Sequence, residues 1–311
     1  MVGNLSSYLL CQVMSSQIII FDLVVVIGNS SYYQVSTNST SSISNQYQFG
    51  GVTGIIVNSQ LNIEKLLYHS YQQYDTQYLQ YSGSIIGISQ QQVNIVIIKN
   101  MCFDLILKSN SIFGYYGLIG YNSGNITLDK LSISQNITGV LSIHLGVIGA
   151  LSANCLFSQI SNIITSMNTK LNTQINEQYH VSLLISYQYA KLCQINNVTL
   201  QDSNIYLPHG TSGFITDAVN TNVLIQNSVV NRCTLISEYT SSIICWGLNS
   251  VISVENVSIS FIKVTGKYAK LIYSLDAGSS FTLQQSWSFG YNYVNQVLQG
   301  NCALFTNVQG C

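Results

Sequence analysis

Asn125-Ile126-Thr127-Leu128-Asp129-Lys130-Leu131 alternates apolar Ile126 and Leu128 with polar Thr127 and Asp129, then breaks the alternation at Lys130. A period of two puts successive side chains on opposite faces of a strand and excludes the 3.6 period of a helix. The same phrase recurs along the chain: an apolar residue, any residue, then Asn, Lys or Gln, then an apolar or small residue. Its third residue falls at Lys65, Lys99, Lys130, Asn162, Asn197, Asn227, Asn256 and Gln285, with spacings of 34, 31, 32, 35, 30, 29 and 29 residues. Strand patterning that returns at such intervals marks a solenoid, in which each coil buries its apolar face against its neighbours.

About ten residues before most markers lies a second apolar stretch with a small residue inside it, as in Ile86-Gly87-Ile88, Ile119-Gly120-Tyr121, Ile148-Gly149-Ala150 and Ile185-Ser186-Tyr187. Each unit therefore holds at least two strands, and segments such as Cys102–Leu107 supply a third. The expected fold is all-β, a parallel β-helix (β-solenoid) of about nine coils with roughly 30 residues per coil, forming a single domain over residues 1–311.

Tyr116-Gly117-Leu118-Ile119-Gly120-Tyr121-Asn122-Ser123-Gly124-Asn125-Ile126 resembles the glycine-rich GLUG-type repeat of adhesin-like surface proteins. The other units keep its spacing and lose its glycines. The resemblance implies a right-handed parallel β-helix displayed at a cell surface, and it brings no catalytic residues with it.

Composition points to the same setting. Hydrophobic residues make up 47% of the chain and charged residues only 7%, where a quarter is usual. A surface built from Ser, Asn, Gln, Thr and Tyr suits a glycosylated extracellular protein better than a cytosolic one. The net charge is −1 and Arg232 is the sole arginine, so nucleic acid, whose phosphates demand a basic face, is excluded as a partner. No membrane span is expected, since Gln17–Gly28 is short and carries Asp22 at its middle. No basic and then apolar leader opens the chain, and repeat-like strands approach both of its ends. These features lead to the expectation of a segment of a longer surface protein, whose exposed coil edges would allow self-association.

Sequons stand at Asn4, Asn29, Asn38, Asn125, Asn136, Asn197 and Asn256, candidate sites of N-glycosylation. Asn162, Asn197, Asn227 and Asn256 share the marker position, where amides on consecutive coils could bond in an inward ladder. The competing reading is that of exposed turn residues, which favour Asn for its tolerance of left-handed backbone. The cysteines show no metal-ligand spacing and are expected to act as small core residues, with Cys302 and Cys311 able to close a loop.

The enzyme alternative, a polysaccharide lyase or glycosidase, rests on Asp217 and Asp276. They lie ten and nine residues before their markers, two coils apart, with Gly247 at the matching place between them. A carboxylate pair of that kind is what glycoside hydrolysis requires. Glu64, Asp129 and Glu255 share the position before their markers and read, like the two aspartates, as solvated face residues. His144 and His180 precede neighbouring glycine strands and could approach each other. Without a carboxylate they make a poor metal site, so no metal and no cofactor are expected. His69 and His209 read as surface or rim residues. The function expected from sequence is thus a non-enzymatic structural or adhesive surface module. Its Tyr-, Asn-, Gln- and Ser-rich wall, including Tyr71, Tyr74, Tyr78 and Tyr81, would contact glycans or other surface proteins.

Overall fold

The structure, a computed structural model, describes residues 5–7, 10–32, 48–74, 78–91, 94–109, 112–139, 141–170, 179–206, 209–269, 278–284, 288–290, 292–294 and 297–299. Among these there is no helix, and the strands stack as a parallel β-solenoid of about six complete turns of roughly thirty residues. The expected count of about nine is higher because it includes turns at both ends. Strands such as Gln17–Tyr32 and Ser280–Gln284 pair there in register, but their turns lie partly outside the described residues. Asn292–Val294 with Val297–Gln299 is the one antiparallel pair among the described residues.

Most turns have two short strands followed by one long strand, and in two of them the short pair is merged into one continuous strand, Tyr78–Gln90 and Ile112–Asn122. In one turn His180–Ser182 bends into Ile185–Gln188, which leads into Leu192–Tyr206. Short strands stack on short strands and long on long, giving two sheets. The third strand expected from sequence is therefore continuous with the marker strand, as in Ile95–Ser109.

The marker phrase is a corner. Lys65, Asn100, Lys130, Asn162, Asn197, Asn227 and Asn256 all have φ between 48° and 56°, the left-handed region. One such residue turns the chain so that the apolar residues on both sides of it face inward: Ile195 and Val198 are buried while Asn196 and Asn197 between them are exposed. In the second unit the corner is Asn100, one residue beyond the expected Lys99; Lys99 pairs with Glu64 and Asp129, each of which precedes its own corner.

The corner amides bond along the axis, but on the outside. Asn197 Nδ2 donates to Asn162 Oδ1 at 2.7 Å and Asn256 Nδ2 to Asn227 Oδ1 at 2.8 Å, while Asn227 Nδ2 reaches Asn196 Oδ1 at 2.9 Å. All are exposed, so the inward ladder is replaced by an outward one that coexists with turn geometry. Acids that precede the corner join it: Asn162 donates to Asp129 at 2.6 Å and Asn100 to Glu64 at 3.3 Å. Burial raises the Asp129 carboxyl, and the hydrogen bonds from Asn162 and Ser161 outweigh it, so its pKa lies below the ordinary value. Backbone strain then governs substitution here. Asn227→Val should cost about 1–2 kcal/mol because a β-branched residue resists positive φ, whereas Asn227→Gly should stay within a few tenths. Urea denaturation of the two variants checks the order, and equal midpoints would show that the corner is not under left-handed constraint.

The core runs the length of the solenoid, with Ile98, Leu128, Ile160, Ile195, Ile225 and Val254 fully buried in the long sheet. Each such side chain removed from water contributes about 1.5–3 kcal/mol. Cys155, Cys193, Cys233 and Cys245 are buried thiols within this interior, whereas Cys102 is exposed on the outer face of its strand and is not a core residue; the side chain of Cys11, and Cys302 and Cys311, lie outside the described residues. Gly120 is required by close stacking, since a Cβ there would stand 2.6 Å from the carbonyl oxygens of Gly87 and Ser82.

The interior also has a polar corner, just before the long strand. Asn94 is fully buried; its Oδ1 accepts from the Ser59 amide at 2.9 Å, and its Nδ2 donates to Ile56 O at 2.9 Å and Ser89 Oγ at 3.0 Å. Further along the axis the Ser250 amide donates to Ser279 Oγ at 3.0 Å.

Candidate functional site

From the turn of residues 141–151 onward two short strands meet at a bend, continuing the single strand Ile112–Asn122 of the turn before, and their partly buried side chains converge along the outer side of that bend. One column, in register across successive coils, is Tyr115, His144, His180, Gly210, Tyr239 and Tyr268. The other is Tyr121, Ala150, Tyr187, Asp217 and Trp246. Buried neighbours such as Leu145 and Val181 alternate with these positions and fix which side faces the groove.

Rings line this groove without a break. Tyr115 stacks on His144 at a centroid distance of 5.0 Å, His144 lies 5.2 Å from His180 and 5.1 Å from Tyr187, and Tyr239 stacks on Tyr268 at 4.7 Å. Trp246 fills the middle, 4.8 Å from His180, 5.6 Å from His209 and 5.2 Å from Tyr239. It can do so because Gly210 has no side chain: a Cβ at that residue would stand 2.5 Å from the indole.

At the centre lies the only carboxylate that the described groove residues supply. His180 Nδ1 is 2.5 Å from Asp217 Oδ2, and His144 Nδ1 is 4.0 Å from the same oxygen. A carboxylate only accepts, so in this contact the His180 Nδ1–H donates. Ser186 Oγ lies 3.4 Å from His144 Nδ1 and donates to the His180 carbonyl at 2.9 Å. The three side chains are only 12–13% exposed. Burial, and secondarily the neighbouring His180, push His144 down to about 3, so it is neutral near pH 7. His209 is lowered for the same two reasons, burial first. The Tyr187 hydroxyl is raised, by burial and then by the Asp217 charge.

These placements revise the sequence-based expectations at several residues. Asp217 is buried and paired with His180, not solvated, and its partner in the next coil is Trp246, with Gly247 opposite Ala218. Asp276 lies outside the described residues. His144 and His180 do meet, and Asp217 joins them as the carboxylate that sequence spacing did not provide. His209 belongs to the same ring cluster, whereas His69 is elsewhere, 2.9 Å from Asp104 and about half exposed. Glu255 accepts from Gln226 at 2.6 Å.

Of the sequons, Asn136, Asn197 and Asn256 are exposed and Asn125 is partly buried, its Oδ1 accepting from the Phe157 amide at 3.1 Å. Asn4 and Asn38, and the side chain of Asn29, lie outside the described residues, as do the side chains of Tyr71, Tyr74, Tyr78 and Tyr81. Neither a protein-family model, nor a characterised protein, nor a solved structure matches this chain.

Proposed function

We propose that the chain is a surface-displayed recognition module that binds saccharides in the ring-lined groove between its short strands. The observation that carries this reading is the continuous run of half-buried rings from Tyr115 to Tyr268 around the His180–Asp217 pair. Apolar ring surface with a few convergent polar groups is the usual make-up of a small-molecule site. Tyr and Trp supply contact area together with hydrogen-bonding edges at low entropic cost. Few charges surround the groove, which suits neutral sugars better than acidic ones.

The test is a titration of wild-type protein with neutral oligosaccharides beside Trp246→Ala and Tyr187→Ala. Truncating a central aromatic anchor should weaken binding at least about tenfold, or 1.4 kcal/mol. Oligosaccharide binding that ignores both substitutions would sink the reading.

A cleaving enzyme is the second reading, favoured by the buried Asp217 carboxylate oriented by His180. New reducing ends that appear with wild-type protein and vanish with Asp217→Asn would select it.

An extracellular setting goes with either reading and is supported by the sparse charge and the exposed sequon at Asn136. When the chain is secreted from a glycosylating host, Asn136 should carry a glycan. Asn197 and Asn256, whose Nδ2 groups are committed to the amide ladder, should be modified less. Peptide mapping after deglycosylation reads this, and an unmodified Asn136 would contradict it.

A further inference from the structure

His144, His180 and Asp217 bring two imidazole nitrogens and one carboxylate oxygen within 4.8 Å of one another, on three successive coils. We infer that these side chains bind one divalent first-row transition cation, of the zinc class, in the centre of the groove. This inference does not rest on the saccharide reading.

The donor set selects the cation. Calcium and magnesium need shells made mostly of oxygen, whereas two imidazoles and one carboxylate suit zinc and its first-row neighbours. Three protein ligands leave a coordination position for water or a ligand, the arrangement of an exchangeable site and not of a closed structural one.

Distances agree with a small adjustment. Metal–ligand bonds of about 2.0–2.1 Å in tetrahedral geometry place ligand atoms about 3.3 Å apart. The two Nδ1–Oδ2 distances, 2.5 Å for His180 and 4.0 Å for His144, straddle that value. On binding, the His180 Nδ1 proton that Asp217 now accepts is released to solvent, and the cation takes its place between the same two atoms. The ligands stand on paired strands, so little ordering is required of the backbone.

A second observation points the same way. His209 packs 5.2 Å from His180, and its buried Nδ1 has no hydrogen-bond partner among the described residues. Buried polar atoms seldom go unpaired. Water bound at the free position of the cation would give this nitrogen a partner.

The experiment uses the full 311-residue chain, stripped with chelator and titrated with Co²⁺ as a spectroscopic probe, then back-titrated with Zn²⁺. One equivalent of Co²⁺ should bind with the intense visible bands of a four- or five-coordinate ion, and Zn²⁺ should abolish them. His180→Gln and Asp217→Asn should each weaken Co²⁺ binding at least about tenfold. His69→Gln, at the exposed His69–Asp104 pair, should change nothing. Circular dichroism of the metal-free variants reports folding, and His144→Gln replaces any variant that fails to fold. Absence of the bands, or Co²⁺ binding that survives His180→Gln and Asp217→Asn or is lost in His69→Gln, overturns the site.

Discussion

Leu128→Asp should unfold the middle of the solenoid. Leu128 is fully buried and sits in register between Ile98 and Ile160, themselves fully buried on the adjacent coils. A carboxylate there has no cation within the apolar stack. It must either stay charged without a partner or take up a proton, and in both cases the leucine's packing is lost. The cost should be on the order of 4 kcal/mol, at the upper end of what single substitutions do. Because each coil is stabilised by its neighbours, the loss should spread and broaden the melting transition. Ile164→Asp is the control: Ile164 lies on the next long strand but is 50% exposed, and the change there should stay within about 0.5 kcal/mol. Thermal and urea melts followed by circular dichroism decide the matter. A Leu128→Asp variant that melts with the wild type would show that this position is not core.

Asn94→Ala should be the second most damaging single change, by a different route. The lost amide leaves the Ser59 N–H and the Ile56 carbonyl buried without the partners they have now, and water cannot readily replace it in a closed interior. Each orphaned group costs about 1–3 kcal/mol, so a total near 3 kcal/mol is expected. The damage should be local to the junction of two coils, where hydrogen exchange at the Ser59 amide should accelerate well before global unfolding. Wild-type protection at that amide together with a wild-type melt would show that the polar corner is decorative.

How much of this is written in the sequence varies with the physics involved. The corner is legible because a left-handed residue flanked by inward-facing groups recurs as apolar-x-(Asn or Lys)-(apolar or small), as in Ile225-Gln226-Asn227-Ser228 and Val254-Glu255-Asn256-Val257. It blurs at Lys99-Asn100, where two acceptable residues adjoin and only the pairing of Lys99 with Glu64 picks the second. The direction of the amide ladder is not legible, since an exposed and a buried Asn at one corner give the same spacing.

The site is harder still. His144 and His180 share a column and could be aligned by counting, but Asp217 belongs to the other short strand of the following coil. What brings Asp217 back to them is the bend between Ser212 and Ile215, repeated in the two preceding coils. Gly213 and Gly146 stand at two of these bends, but Leu183-Leu184 holds the place in the His180 coil, so no single residue type announces it. Trp246 was within reach. The ten-residue offset between Asp217 and Asn227 recurs between Trp246 and Asn256, and holding that offset fixed places the indole, not Gly247, beside the carboxylate.

Tandem coils are prone to unequal recombination, which removes or duplicates one unit and rejoins the rest in phase. The scaffold should survive such an event, since the coils on either side of the gap present the same kind of paired edge. The groove should not. Its histidine pair, its carboxylate and its indole come from four consecutive coils, so excising the one that contains Asp217 would bring His180 beside Tyr239 and erase the centre while leaving the rod intact. Lineages that keep the number and order of these four coils constant, and let the remainder of the stack vary in length, would carry the mark of selection on the groove and not on the fold.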